Sequence, residues 1–498
     1  MNAKLRVTAI GLLLSALVGL VLLVVWPSLN PAHVRPLPVI ALAWIAFLTA
    51  AFLLRAVPVR VAVALILLGG IGIQIAAVSA PPRGSDDLYR YIWDGRVQAA
   101  GIDPYAYVPG AAQVAGLRNE FLWHRGADHC VTSSEFAQFP AEDLVTGCTM
   151  INRPAVPTIY PPVAEAYFLA VHYEPSGNNS TTPIQATTAL VAVLTTVLLM
   201  FGLRRLGRDV RMAALWAWCP TVALEAGNSA HVDVVAVGIT AAALLVLATA
   251  RGRSGRTVLG GVLLGLAIAT KVTPALTVPA VLRRRWMTVV VSAGSAFVVV
   301  YIPHVLAVGS KVIGFLPGYL QQEGYDNGTR FGIIGLVLSG KLALAMAVLI
   351  LFAVAFAVLQ FSDPDRPWQG ALVMTAAALA VTTPRYQWYA LLLVMLVALD
   401  GKPEWLAFAA GAYYAAEPNL GRYTLPNRLH DAVAYGVPVL VVAAGWMIRE
   451  LMRRRDVGLE PVPVSVPAAA GSAVAAPITV TTPVTAEEIG AFLPVGYP

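Results

Sequence analysis

The chain opens MNAKLRVTAIGLLLSALVGLVLLVVW, residues 1–26: two basic residues, Lys4 and Arg6, then an apolar run without a charge. A helix needs roughly 20 such residues to cross the hydrocarbon core. A secretory signal has the same charge order, but this run is longer than a typical signal core, lacks a small-x-small cleavage site and precedes further spans. Apolar runs recur at 38–55, 59–80, 183–203, 212–227, 231–250, 257–282, 286–306, 336–360, 369–383, 388–400, 403–416 and 431–449. Several fall short of a full crossing, as tilted, broken or re-entrant helices do. Of 498 residues, 58% are hydrophobic and 12% charged, against roughly 25% charged in soluble domains. That excludes a cytosolic globular enzyme. The expectation is an all-α polytopic membrane protein with about 11–14 transmembrane or re-entrant helices.

Orientation follows from where Lys and Arg fall. With the N-terminus cytoplasmic and the run 257–282 read as a bent pair turning near Lys271, the cytoplasmic connections hold twenty of the 34 basic residues. They include Arg55 and Arg60, the cluster Arg204 to Arg211, Arg251 to Arg256, Arg283 to Arg285, and Arg449 to Arg455. The long polar loop from about 81 to 182 is therefore expected outside the cytoplasm, in a plasma-membrane protein. The net charge of +7 is spread over these loops, and no basic patch marks a nucleic-acid partner. The chain divides into three first helices (1–80), the outer loop (81–182), the remaining helices (183–455) and a Pro/Val/Ala/Thr tail (456–498) expected to be a disordered cytoplasmic segment. No internal repeat is evident, and the large first loop has no counterpart in the second half, unlike the inverted repeats of many transporters. Of the three cysteines, Cys130 and Cys148 share the outer loop, where an oxidising compartment favours a disulfide between them; two free thiols are the alternative.

That loop opens SDDLYRYIWDGRVQAAGIDPYAY, residues 85–107. Asp86 and Asp87 stand where the chain leaves the membrane, and Arg90 and Asp94 are spaced i, i+4 as on one helix face. The pattern predicts an amphipathic helix in the interface, its N-terminal carboxylates complementing the helix dipole.

With INRPAVPTIYPPVAEAYF at 151–168, this string resembles the first-loop signature of polyprenyl-phosphate-mannose-dependent mannosyltransferases, those of glycosyltransferase family 87 and its actinobacterial relatives. His231-Val-Asp233 and Ala269-Thr-Lys271-Val-Thr-Pro274 are weaker similarities to the same superfamily. The resemblance implies the multi-span GT-C type glycosyltransferase fold with a large first extracytoplasmic loop. It also implies a catalytic carboxylate at Asp87, with Asp86 beside it, and a polyprenyl-phosphate-mannose donor. The acceptor would be a glycan or glycolipid.

The residues agree on chemical grounds. The chain has no Walker loop and no GxGxxG between strand and helix. Outside the cytoplasm there are no nucleotide sugars, so a donor there arrives on a lipid phosphate. Transfer then needs a base for the acceptor hydroxyl and cations for the departing phosphate. Asp87 is the candidate base. One base and no nucleophile suit single-step inversion, giving an α-mannoside from the β-linked donor that the resemblance implies.

Lys271, Arg385, Arg422 and Arg90 are candidate phosphate ligands, though Arg90 can instead pair with Asp94, and the others can serve as headgroup-level anchors. In EAGNSAHVD, Glu225, His231 and Asp233 form a candidate site wall, with His231 and Asp233 as candidate substrate-binding residues that hold acceptor hydroxyls or a divalent ion; the alternative is a helix turn whose polar groups satisfy one another. Tyr89 and Tyr160 are candidates to stack on sugar, against the alternative of an aromatic belt. The short piece 163–173 is expected to cap the site. Asp86, Asp87 and Asp233 can supply oxygen ligands to a divalent cation, but no spacing demands one, so no obligatory cofactor is expected. The alternatives are a transferase of another lipid-linked sugar, such as arabinose or glucose, and a lipid-linked-sugar flippase or transporter.

Overall fold

Helices account for nearly all the regular structure. A computed structural model describes residues 2–29, 36–124, 148–250, 253–416 and 427–457. Cys130, Arg422 and nearly all of the tail lie outside these residues, so neither the expected disulfide nor a role for Arg422 is described. The chain folds as one unit over Met1–Trp446, with a second from Met447 onward.

Three apolar helices lead: α1 (Ala3–Val25), α2 (Pro36–Leu54) and α3 (Val59–Val78). The polar loop follows, with α4 (Asp87–Ala99), a two-residue hairpin of β1 (Trp123–His124) against antiparallel β2 (Cys148–Thr149), and α5 (Pro162–His172). Then come α6 (Thr182–Arg205), α7 (Ala214–Ala217), a π-helical stretch Val222–Asn228, α8 (Asp233–Ala248), α9 (Ser254–Ile268) and α10 (Val278–Val281). The chain ends with α11 (Trp286–Val308), α12 (Leu316–Gln322), α13 (Gly340–Phe361), α14 (Pro367–Thr382), α15 (Leu391–Asp400), α16 (Ala407–Ala416) and α17 (Asn427–Val457).

Among the described residues, seven helical stretches are long and apolar enough to cross a membrane alone, and the π-helical stretch with α8, bent by 117°, makes an eighth candidate. The expected 11–14 transmembrane or re-entrant helices thus divide into full-length spans and shorter apolar ones. Surroundings explain the difference. All ten residues of α15 are buried, so protein rather than lipid satisfies this helix on every side. On α11 only Val289 and Ser292 are buried, and Leu306 is 82% exposed; a helix this apolar with so little protein around it faces hydrocarbon.

The basic connections gather at one end of the bundle. Arg211 donates to the Val57 carbonyl (2.9 Å), Arg208 to that of Asp400 (2.8 Å) and Arg285 to Ser254 Oγ (2.7 Å), while Arg284 pairs with Asp365. The loop carrying α4 and α5 lies at the other end. There Asn228 locks the α3 exit: its Nδ2 donates to the carbonyls of Ala77 (3.0 Å) and Ala80 (3.2 Å), and its Oδ1 accepts from the Arg83 amide (2.9 Å).

One local expectation is overturned. Rather than lying amphipathically in the interface, α4 is buried from Leu88 through Val97. Its aromatics explain why, since Tyr91 stacks on Phe168 of α5 (4.4 Å between centroids) and Trp93 meets Trp123 edge-on (5.7 Å). Gly95 permits the approach: a Cβ there would sit 2.5 Å from the Phe168 carbonyl oxygen.

Candidate active site

A cavity of about 1100 Å³ opens where the outer loop meets the bundle. Asp86, Asp87, Arg90, Tyr160, Lys271 and Arg385 all line it, although they come from four separated stretches of sequence.

The two carboxylates are set by the start of α4. Asp87 occupies its first turn, where the helix dipole favours negative charge, and its amide donates to Ser85 Oγ (3.2 Å). Asp86 is the N-cap residue but makes no side-chain capping bond. Instead, Asn152 Nδ2 donates to both carboxylates, 2.8 Å to Asp86 Oδ1 and 2.6 Å to Asp87 Oδ1. Burial pushes the Asp86 carboxyl above the ordinary carboxylate range, the neighbouring Asp87 adds to this, and the Asn152 bond partly offsets both.

Behind Asp87 stands the wall read from EAGNSAHVD. His231, fully buried, places Nδ1 3.8 Å from Asp87 Oδ2 and Nε2 3.5 Å from Glu225 Oε2, and its ring stacks on Trp388 at 3.9 Å. Neither ring nitrogen has a hydrogen-bond partner among the described residues. Glu225 accepts from the Tyr413 hydroxyl (2.8 Å). Asp233 and His231 therefore support the cavity from behind and do not line it. The chain does turn at Lys271 after α9, and Lys271 Nζ lies 3.0 Å from Asp233 Oδ2 and 5.3 Å from the centre of the Tyr160 ring.

Two other cations are also engaged. Arg90 Nε lies 2.9 Å from Asp94 Oδ1, with Nη1 on the Val156 carbonyl (3.1 Å). Asp94 itself sits beside Glu165, which accepts from Thr158 (2.7 Å) and Gln98 (2.9 Å). Burial, with Asp94 adding to it, holds the Glu165 carboxyl well above its usual range. Arg90 is thus built into a buried network that joins α4 to α5. Arg385 Nη2 lies 3.1 Å from Asp431 Oδ2. Tyr89 does not reach the cavity; it packs in the loop core beside Phe121 (6.2 Å between centroids). The α5 helix lies against α4 and none of its residues lines the cavity; Ile159, Tyr160 and Pro161, just before it, do.

Sequence reasoning passed over Asn152 and Arg153, although both stand in the INRPAVPTIY string. Both line the cavity. Most of the remaining wall is aromatic and apolar: Tyr386 stacks on Trp388 (4.6 Å), Tyr319 and Tyr389 share a hydrogen bond (2.6 Å), and Val272, Phe297, Ile313, Leu316 and Leu320 continue it. Among the described residues no group of three or more His, Cys, Asp or Glu side chains is placed to hold a metal ion.

Residues 158–384 match the model of glycosyltransferase family 87. The matched segment is a little under half of the chain; it includes Tyr160, His231, Asp233 and Lys271 and stops short of Arg385. No curated protein matches the chain. Two solved structures of the oligosaccharyltransferase of Archaeoglobus fulgidus are similar, one tethered with an acceptor peptide and one, AglB, in complex with an inhibitory peptide and a dolichol-phosphate. Each is 13% identical with a TM-score of 0.37, over 77% of this chain and 55% or 56% of the other, so this chain spans little more than half their length.

Proposed function

We propose that the protein is a membrane glycosyltransferase that takes mannose from a polyprenyl-phosphate donor and passes it to a hydroxyl of a glycan or glycolipid at the extracytoplasmic face. One observation carries the reading. A single cavity is lined by a carboxylate pair, by cationic side chains and by an apolar wall that includes Phe297 of the lipid-facing helix α11. Those are the three parts that transfer from a lipid phosphate requires. The family 87 match supports glycosyl transfer, and the first-loop resemblance supports mannose.

Asp87 takes the acceptor hydroxyl proton as the acceptor oxygen bonds to the anomeric carbon. The bond from that carbon to the phosphate oxygen breaks, and the lipid phosphate leaves with the electron pair. Cations on the cavity wall, Lys271 and Arg385 among them, meet the negative charge that builds there. One base and no nucleophile give inversion, hence an α-mannoside from a β-linked donor. His231, between Asp87 and Glu225, aligns the base from behind; contacts of 3.5 to 3.8 Å leave room to tighten when substrate fills the site.

The test is incubation of purified protein with radiolabelled polyprenyl-phosphate-mannose and a panel of mannoside acceptors, beside the arabinose and glucose donors. Label passing from the mannose donor to an acceptor is expected. Transfer from another donor alone would overturn the mannose assignment, and transfer from none would overturn the enzyme reading.

A further inference from the structure

Four cations line the cavity: Arg90, Arg153, Lys271 and Arg385. Three are already balanced, with Asp94 at 2.9 Å, Asp233 at 3.0 Å and Asp431 at 3.1 Å. Freeing any of them for a ligand would leave a buried carboxylate without its partner, a costly exchange. Among the described residues Arg153 has no carboxylate within ion-pair distance and no side-chain hydrogen bond; its guanidinium lies over the Tyr319 ring, 5.9 Å from the centre.

Its backbone is unusual too. Arg153 adopts φ of 55°, a left-handed conformation rare for residues with a side chain, and it precedes Pro154, which further restricts it. Such conformations persist where the surroundings over-determine them and cluster at functional sites. Here the surroundings are visible. The Gly110 amide donates to the Pro154 carbonyl (2.9 Å), the Val156 amide to that of Arg153 (3.3 Å), and the preceding residue, Asn152, holds both Asp86 and Asp87. One short turn therefore sets the carboxylate pair and the unpaired guanidinium together.

We infer that Arg153 is the residue that binds the phosphate of the lipid donor, an inference that rests on the site taking a lipid-phosphate donor at all. The planar guanidinium can fork onto two phosphate oxygens, which an ammonium cannot. It needs no partner displaced to do so, and it lies over Tyr319 in the wall of the cavity that also holds Asp87. As the sugar leaves, the phosphate gains charge and its bond to Arg153 strengthens, which is the condition for lowering the barrier. Lys271, held by Asp233, then contributes field rather than the primary contact.

The experiment titrates full-length protein in neutral detergent with a short-chain polyprenyl phosphate and with the matching uncharged polyprenol. The proteins are wild type, Arg153→Asn and Arg153→Lys; asparagine tolerates the left-handed backbone, so the charge is removed without adding strain. Wild type is expected to prefer the phosphate. Arg153→Asn should lose about ten- to a hundredfold on the phosphate and nothing on the alcohol, as expected for a charged hydrogen bond, with Arg153→Lys in between. If wild type prefers the phosphate and Arg153→Asn keeps that preference, the assignment to Arg153 falls while the donor reading stands. Equal loss on both lipids would make Arg153 structural and overturn the inference. A wild type indifferent to the phosphate would overturn the donor reading and this inference with it.

Discussion

Asp86 and Asp87 are adjacent, yet their surroundings divide their roles. Asp87 has His231 behind it and the cavity in front, so Asp87→Asn should lower turnover by about 10²- to 10⁴-fold with little change in donor affinity, the range of a positioned acid or base. Single-turnover rates with saturating donor check this; retention of most activity would remove Asp87 as the base. Asp86 makes a different prediction, through stability. A carboxyl whose pKa is raised on folding holds a proton that the unfolded chain has already released, so its contribution falls as pH rises from about 4 toward its folded value. Asp86→Asn has no charge to bury and should gain on wild type over that window. Unfolding midpoints in detergent from acid to neutral pH would show it, and a constant difference would refute it. The carboxylate pair was legible because two charges interrupt a chain that has just left an apolar run. Asn152 was not, because it lies 66 residues from Asp86 and looks like any polar loop residue until the fold brings the two together.

At the scale of elements, α4 shows where local pattern misleads. Its mixture of charge and aromatics reads as an interfacial helix, but the charges pair internally, Arg90 with Asp94, and the aromatics pack on α5 and the hairpin. The close approach depends on Gly95, so Gly95→Ala must move α4 away from the α5 backbone or leave both strained. A cost of about 1–3 kcal/mol is expected. Because α4 carries Asp87, activity should fall along with thermal stability; an unchanged melting profile would show that the two helices can part freely. The short helix α15 also escapes a hydropathy reading, since the same apolar run fits a core helix or a tilted span. Only its complete burial distinguishes them.

For the whole molecule, the basic connections lie at one end of the bundle and the cavity at the other, so the expectation that the basic end is cytoplasmic puts the cavity on the outer side, which labelling tests. Gly116 and Gly255 are exposed with open space around them, on the cavity loop and in the first turn of α9 at the basic end respectively. A membrane-impermeant thiol reagent on intact cells should label Gly116→Cys and spare Gly255→Cys beyond the background of the native cysteines. The reverse pattern would invert the topology and remove the extracytoplasmic site. The amino-acid sequence alone determined that the chain is helical and membrane-embedded, how its basic loops sort, and that a carboxylate pair opens the first loop. Each of these depends on composition or on neighbours along the chain. Tertiary structure alone decided which charges are already spent on one another. It pairs Lys271 with Asp233 and Arg385 with Asp431, and leaves Arg153 open to the cavity. The reason is physical: whether a buried charge is balanced depends on a partner within a few ångströms, and in this fold those partners come from distant helices and loops.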